Sequence, residues 1–273
     1  MSKKARGEKI RPLFRRQEPA LLIIMIILGV FDAITLIYCI RSSTAVNVLL
    51  SLTMLFVLFM PQAIERRFSI KFSTFFKAFL MSFITLGALL GAVYGFYQKI
   101  EIWDEIMHTA CGFFTALVGF CSWDAVKGDG RGDLPLGYRI FVAISFAVAV
   151  AGIWELYEFT ADQLIGTDMQ RDTVINSISS YFVGTSPFIV NRVTDIRDVA
   201  LDGISLGLDG YLDIGLIDTM IDILMNVLGA VIFCILACFS SKKPDGWFQR
   251  LFIPRLIGRE KKETREETTA GKI

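Results

Sequence analysis

Acidic and imidazole side chains recur at helical spacing in parts of this chain that are otherwise apolar. Asp104 and His108 are four residues apart, Glu155, Glu158 and Asp162 are three and then four apart, and Asp218, Asp222 and Asn226 follow at intervals of four. Residues three or four apart share one face of a helix, so each set points its polar groups in one direction. His108 is the only histidine. One imidazole among several carboxylates is a donor set for a divalent ion such as Mn²⁺, Fe²⁺, Zn²⁺ or Mg²⁺. His108, Glu155 and Asp222 are therefore candidate metal ligands, and Glu158 and Asp218 candidate catalytic bases. Asp104, Asp162, Asn226 and the isolated Asp32 complete the candidate polar pocket.

Plainer roles compete for some of these residues. Asp104, Glu105 and Asp218 fall where helices are expected to start, and carboxylates there cap free N–H groups and offset the helix dipole. His108 and Asn226 could be interhelical hydrogen-bonders, and Asp32 could accept a hydrogen bond while protonated. Glu155, Glu158 and Asp162 fall at a helix end where the dipole disfavours negative charge. Capping does not account for them, so they call for a cation, a proton or a basic partner.

The elements that must carry these groups are apolar blocks. Of the 273 residues 53% are hydrophobic, and the mean hydropathy is +0.54. A membrane span needs about 20 mostly apolar residues, and six blocks qualify: Ala20–Ile40, Thr44–Ala63, Phe75–Tyr97, Trp103–Asp124, Tyr138–Phe159 and Ile217–Phe239. With both ends cytoplasmic, 23 of the 28 Lys and Arg residues lie on the inner side, as the positive-inside rule requires. The first block is too long for a signal-peptide core and lacks a small-residue cleavage site, so it reads as a retained helix. The expected fold is all-α, a polytopic bundle of about six transmembrane helices. Residues 1–18 form a basic cytoplasmic segment, 19–240 the membrane domain and 241–273 a basic cytoplasmic tail.

Between the last two spans, residues 161–216 read as a small extracytoplasmic cap with Asp-Gly turns. Two segments, IRPLFRR and WFQRLFIPRLIGR, mix basic and bulky apolar residues and suit the inner headgroup layer. KGDGRGDLPLG reads as a flexible cytoplasmic turn, and EKKETREETTAGKI as a disordered tail. The five cysteines all fall within spans and read as packing residues. In this topology the ionisable groups set well inside apolar blocks lie in the outer half of the bilayer, on four helices. A charged side chain at mid-span costs about 2.5–3.5 kcal/mol and usually faces the bundle interior, so the polar faces are expected to meet. No Lys or Arg is expected deep in that pocket.

The stretches WDEIMHTACGFF, WELYEFTAD, IGTDMQ and IDTMIDILMNVLGA resemble blocks of the YjdF-like family of bacterial membrane proteins. The Asp…His, Glu-x-x-Glu and Asp-x-x-x-Asp-x-x-x-Asn-x-x-Gly pattern is similar, more distantly, to the VanZ-like proteins linked to glycopeptide resistance. The resemblance covers about Trp103–Ala230, with an insertion between GTDMQ and IDTM. It implies a multi-pass protein of the bacterial plasma membrane and brings no reaction with it. Three readings stay open: a divalent-metal enzyme on a lipid or envelope substrate, a proton- or cation-coupled transport or binding protein, and a structural envelope protein without catalysis. The Lys/Arg/Ser/His signature of membrane phosphatases and the His-rich set of membrane desaturases are both missing. The expected partners are membrane lipids and a lipid-linked or envelope substrate, with no nucleic acid.

Overall fold

The computed structural model describes residues 19–42, 44–68, 70–126, 132–241 and 246–256. Along the chain these form α1 (Pro19–Ser42), α2 (Ala45–Val57), α3 (Met60–Phe68), β1 (Ile70–Lys71), α4 (Thr74–Ala88), a π-helical turn (Leu89–Val93) and α5 (Phe96–Lys99). Then follow α6 (Trp103–Val126), α7 (Leu136–Ile165) and six short strands, β2 (Thr173–Ile175), β3 (Ile178–Ser180), β4 (Asn191–Val193), β5 (Ala200–Leu201), β6 (Ile204–Ser205) and β7 (Tyr211–Asp213). The chain ends in α8 (Leu216–Ser241), α9 (Trp247–Leu251) and β8 (Arg255–Leu256). IRPLFRR, most of the turn between α6 and α7, and the acidic-basic tail lie outside the described residues.

Two compact units divide the chain, and α6 and α8 contribute to both. In the first, α1 exposes apolar side chains and buries polar ones together with Leu21 and Leu28. Ile23, Ile27, Val30, Ile34 and Ile37 are exposed, while Asp32, Thr35 and Cys39 are fully buried. That inversion suits a helix whose solvent is hydrocarbon. Five helices are long and apolar enough to cross a membrane, and α2 with α3 makes a sixth if the bent pair is one span.

The expected second span, Thr44–Ala63, is therefore broken, with α3 turning 47° from α2. Pro61 has no N–H to continue the α2 ladder and starts a new helix in its first turn instead. The pair nevertheless retraces α1. Ser51 stands beside Cys39, Leu58 beside Gly29 and Gln62 beside Met25. From Cys39 to Met25 is about 21 Å at 1.5 Å per residue, so the pair reads as one bent span. Leu21, Leu28, Leu58 and Met81 form its shared core with α4. The third block ends earlier than expected, in the π turn. There Tyr94 bonds Thr35 through its hydroxyl at 3.0 Å and lies parallel to the rings of Phe31 and Tyr38. α9 and β8 also join this unit: β8 pairs with β1, the Leu251 carbonyl accepts from the Ser73 hydroxyl, and Phe252 packs edge-on against Phe75 and Phe76.

The second unit holds most of α6, α7 and α8 with the segment between the last two. That segment is not helical. It pairs as three two-stranded antiparallel ribbons, β2 with β7, β3 with β4 and β5 with β6. The expected Asp-Gly turn closes the β5–β6 hairpin, where Asp202 and Gly203 both have positive φ (51° and 84°), the combination a two-residue type I′ turn demands.

Candidate functional site

α6 and α8 meet through backbone rather than side chain. A Cβ at Gly112 would stand 1.8 Å from the Asn226 carbonyl oxygen, and one at Gly229 would stand 1.8 Å from that of Thr109. Small residues permit such approach, and in membranes they mark the tightest helix contacts. The contact sets the register of everything one turn closer to the helix starts. His108 sits opposite Asp222, and Asp104 opposite Asp218. On the other side of Gly112, Phe233 fills the seam edge-on against Phe113 and Phe120.

α7 supplies the third wall. Its buried face is Ala143, Ala147 and Ala151, and the same stripe continues into Glu155 and Glu158. Ala143 brings the helix close where it packs on Gly119, and about three turns later the same face carries carboxylates instead.

Asp104, His108, Glu155, Glu158, Asp218 and Asp222 thus converge, each 9% exposed or less. His108 Nε2 lies 3.4 Å from Asp104 Oδ1 and 3.4 Å from Asp222 Oδ2. Two triads, Asp104/His108/Asp222 and Glu155/Glu158/Asp222, each bring three possible ligand atoms within 4.8 Å of one another. The predicted ligands His108, Glu155 and Asp222 do meet, but through two overlapping sets joined at Asp222. Both oxygens of Glu155, Oε2 of Glu158 and Oδ2 of Asp222 have no hydrogen-bond partner among the described residues. Gln170 and Thr219, bonded to each other, stand beside Glu155 yet leave its oxygens outside hydrogen-bond geometry. Glu158 Oε1 accepts from Trp154 Nε1 at 2.8 Å.

The remaining candidates go elsewhere. Asp32 belongs to the first unit, fully buried, with both oxygens unpartnered among the described residues. The reading of Asp32 as a hydrogen-bond acceptor thus finds no donor among the described residues. Asn226 lies one turn along α8 from Asp222, also buried, with Oδ1 unpartnered among the described residues. Asp162 needs neither a cation nor a proton. Gly166 ends α7 in a left-handed cap (φ 74°), and the returning chain delivers Thr167 Oγ1, Met169 N and Gln170 N to the Asp162 carboxylate at 2.6, 2.7 and 2.9 Å.

That return places a residue the sequence reading overlooked. Arg171 Nη2 lies 2.6 Å from Asp104 Oδ2 and 3.2 Å from Asp218 Oδ1, and its backbone N–H donates to Asp218 Oδ2 at 3.0 Å. No Lys or Arg is expected deep in the pocket, and Arg171, its side chain 28% exposed, reaches these acids from the loop. Asp218, expected as a base, has both oxygens engaged by Arg171. Burial disfavours the charge on Arg171, and Asp104, Asp218 and Asp222 more than offset this, raising its pKa. The available clue was its place as the first basic residue after the acidic end of α7.

No curated protein and no solved structure matches the chain. The family described as "Predicted membrane protein (DUF2238)" matches residues 23–243, which takes in all the convergent residues and accords with the YjdF-like resemblance. With its apolar spans and this match over most of its length, the chain belongs to that membrane-protein family.

Proposed function

We propose that the pocket is a divalent-cation centre serving chemistry on a lipid or envelope substrate at the outer face of a bacterial plasma membrane. The observation that carries this reading is the approach of His108 Nε2 to Asp104 Oδ1 and Asp222 Oδ2, 3.4 Å each, next to buried Glu155, neither of whose oxygens is bonded among the described residues. An isolated buried carboxylate is too costly to leave charged and unpaired. His108 adds the one donor type that a merely acidic patch lacks. A cation held by Asp104, His108 and Asp222 would polarise a substrate oxygen or acidify a bound water. Glu158, fixed by Trp154, is suited to accept the proton. The basic residues support an orientation with both chain ends cytoplasmic and the pocket opening outward, since 23 of 28 would then lie inside.

The test is metal analysis of detergent-purified protein equilibrated with Mn²⁺, Zn²⁺ or Mg²⁺ and freed of unbound ion. Wild type should retain metal and His108→Ala should lose it, with metal-dependent turnover then sought on phosphorylated and lipid-linked substrates in proteoliposomes. A folded wild type that retains no metal overturns the reading. Proton- or cation-driven uptake abolished by Glu155→Gln would instead identify a transporter.

A further inference from the structure

We infer that the pocket holds two divalent cations, one in Asp104/His108/Asp222 and one in Glu155/Glu158/Asp222, with the Asp222 carboxylate bridging them. This rests on the cation reading above and changes the role of Glu158 from base to ligand.

Geometry carries the first site. His108 Nε2 is 3.4 Å from Asp104 Oδ1 and from Asp222 Oδ2. Ligand atoms about 2.1 Å from a tetrahedral Zn²⁺ are about 3.4 Å from each other. The second site rests on open valences: both oxygens of Glu155 and Oε2 of Glu158 are buried and bonded to nothing among the described residues. Asp222 is 1% exposed and common to both triads, and a carboxylate can offer one oxygen to each of two ions.

Charge balance selects two ions over one. The convergent set contains five carboxylates, Asp104, Glu155, Glu158, Asp218 and Asp222, against one guanidinium, Arg171, with His108 neutral as a ligand. Two divalent cations with Arg171 neutralise all five, whereas a single cation leaves two negative charges in a buried space. Glu105, whose Oε2 is also buried and unpartnered among the described residues and whose charge acts on Arg171, stands outside both triads; counting it leaves one negative charge with two ions and three with one. Groups that orient metal ligands from behind are also in place: Arg171 on Asp104 and Trp154 on Glu158.

Full-length protein in detergent is loaded with Mn²⁺, freed of unbound ion, and examined by metal analysis and electron paramagnetic resonance. Wild type should retain two Mn²⁺ per chain and show the many-line spectrum of an exchange-coupled pair. Glu155→Gln with Glu158→Gln should retain one Mn²⁺ with the six-line spectrum of an isolated ion, and Asp222→Asn should retain none. Circular dichroism and elution volume establish that each variant is folded, and the wild-type spectrum needs no variant at all. One Mn²⁺ in wild type, unchanged in the Glu155/Glu158 double variant, overturns the pair and leaves the single-cation reading standing. Two uncoupled ions overturn the bridge. No Mn²⁺ in folded wild type overturns both readings.

Discussion

Arg171 Nη2 approaches Asp104 Oδ2 to 2.6 Å, so a residue from the α7–α8 connection closes over a carboxylate that begins α6. The same nitrogen is 3.2 Å from Asp218 at the start of α8. One guanidinium therefore ties the starts of two parallel helices together at the mouth of the pocket.

Replacing Arg171 with Ala strands Asp104 and Asp218 at 6% and 9% exposure. Breaking a buried pair by removing one partner costs about 3–5 kcal/mol, and the lower end applies because the Arg171 side chain is 28% exposed. The expected result is a clear drop in melting temperature in detergent. Lys in its place should recover only part of it, because a flexible, strongly hydrated ammonium lacks the planar, pre-organised guanidinium geometry.

Gly112→Ala and Gly229→Ala each drive a methyl into a backbone carbonyl 1.8 Å away. No rotamer relieves that clash, so α6 and α8 must separate, at a cost of about 1–3 kcal/mol or more. Retained metal should fall together with melting temperature. Gly152→Ala on α7 meets nothing within 4 Å and should leave retained metal unchanged and the melting temperature no lower, since Ala suits a helix interior better than Gly.

Asp162→Ala removes three acceptor contacts that hold the chain from Thr167 to Gln170. At about 1 kcal/mol net for each bond, the loop should open while the helices persist. Hydrogen exchange would then quicken at Met169 and Gln170, and retained metal should decrease although Asp162 itself is no ligand.

The Asp172 carboxyl sits above its ordinary pKa of 3.8, through burial and then the charges of Asp168, Asp213 and Asp162. A folded-state value above the unfolded one means a contribution present below the ordinary pKa and lost as pH rises through the shifted one. Asp172→Asn should therefore stabilise slightly at neutral pH, within about 0.5 kcal/mol for so exposed a side chain. The gain should vanish below the ordinary value, as paired melts at acidic and neutral pH would show.

Much of the site is legible in the sequence because a helix repeats. Intervals of four put Asp104 with His108 and Asp218 with Asp222 on single faces, and the cost of charge in hydrocarbon turns those faces inward. Arg171 is not legible in this way. Its guanidinium reaches Asp104 only because Gly166 reverses the chain and Asp162 collects the N–H groups that follow. The same event explains why Asp162, correctly spaced behind Glu155 and Glu158, turns to the loop. The division of the ligands into two triads depends on the register of α6 against α8, which Gly112 and Gly229 set through contacts no spacing rule encodes. In the first unit, Pro61 is a visible signal for the break after α2, whereas the π turn at Leu89–Val93 has no equivalent mark.

The touching backbones at Gly112 and Asn226 also bear on traffic. Just past His108 and Asp222 they leave no space between them for a methyl group, and so none for a file of water molecules. Protons hop along such files, and hydrated ions need greater width. Anything entering the acidic cluster from the helix starts therefore meets a closed seam between α6 and α8 at this level.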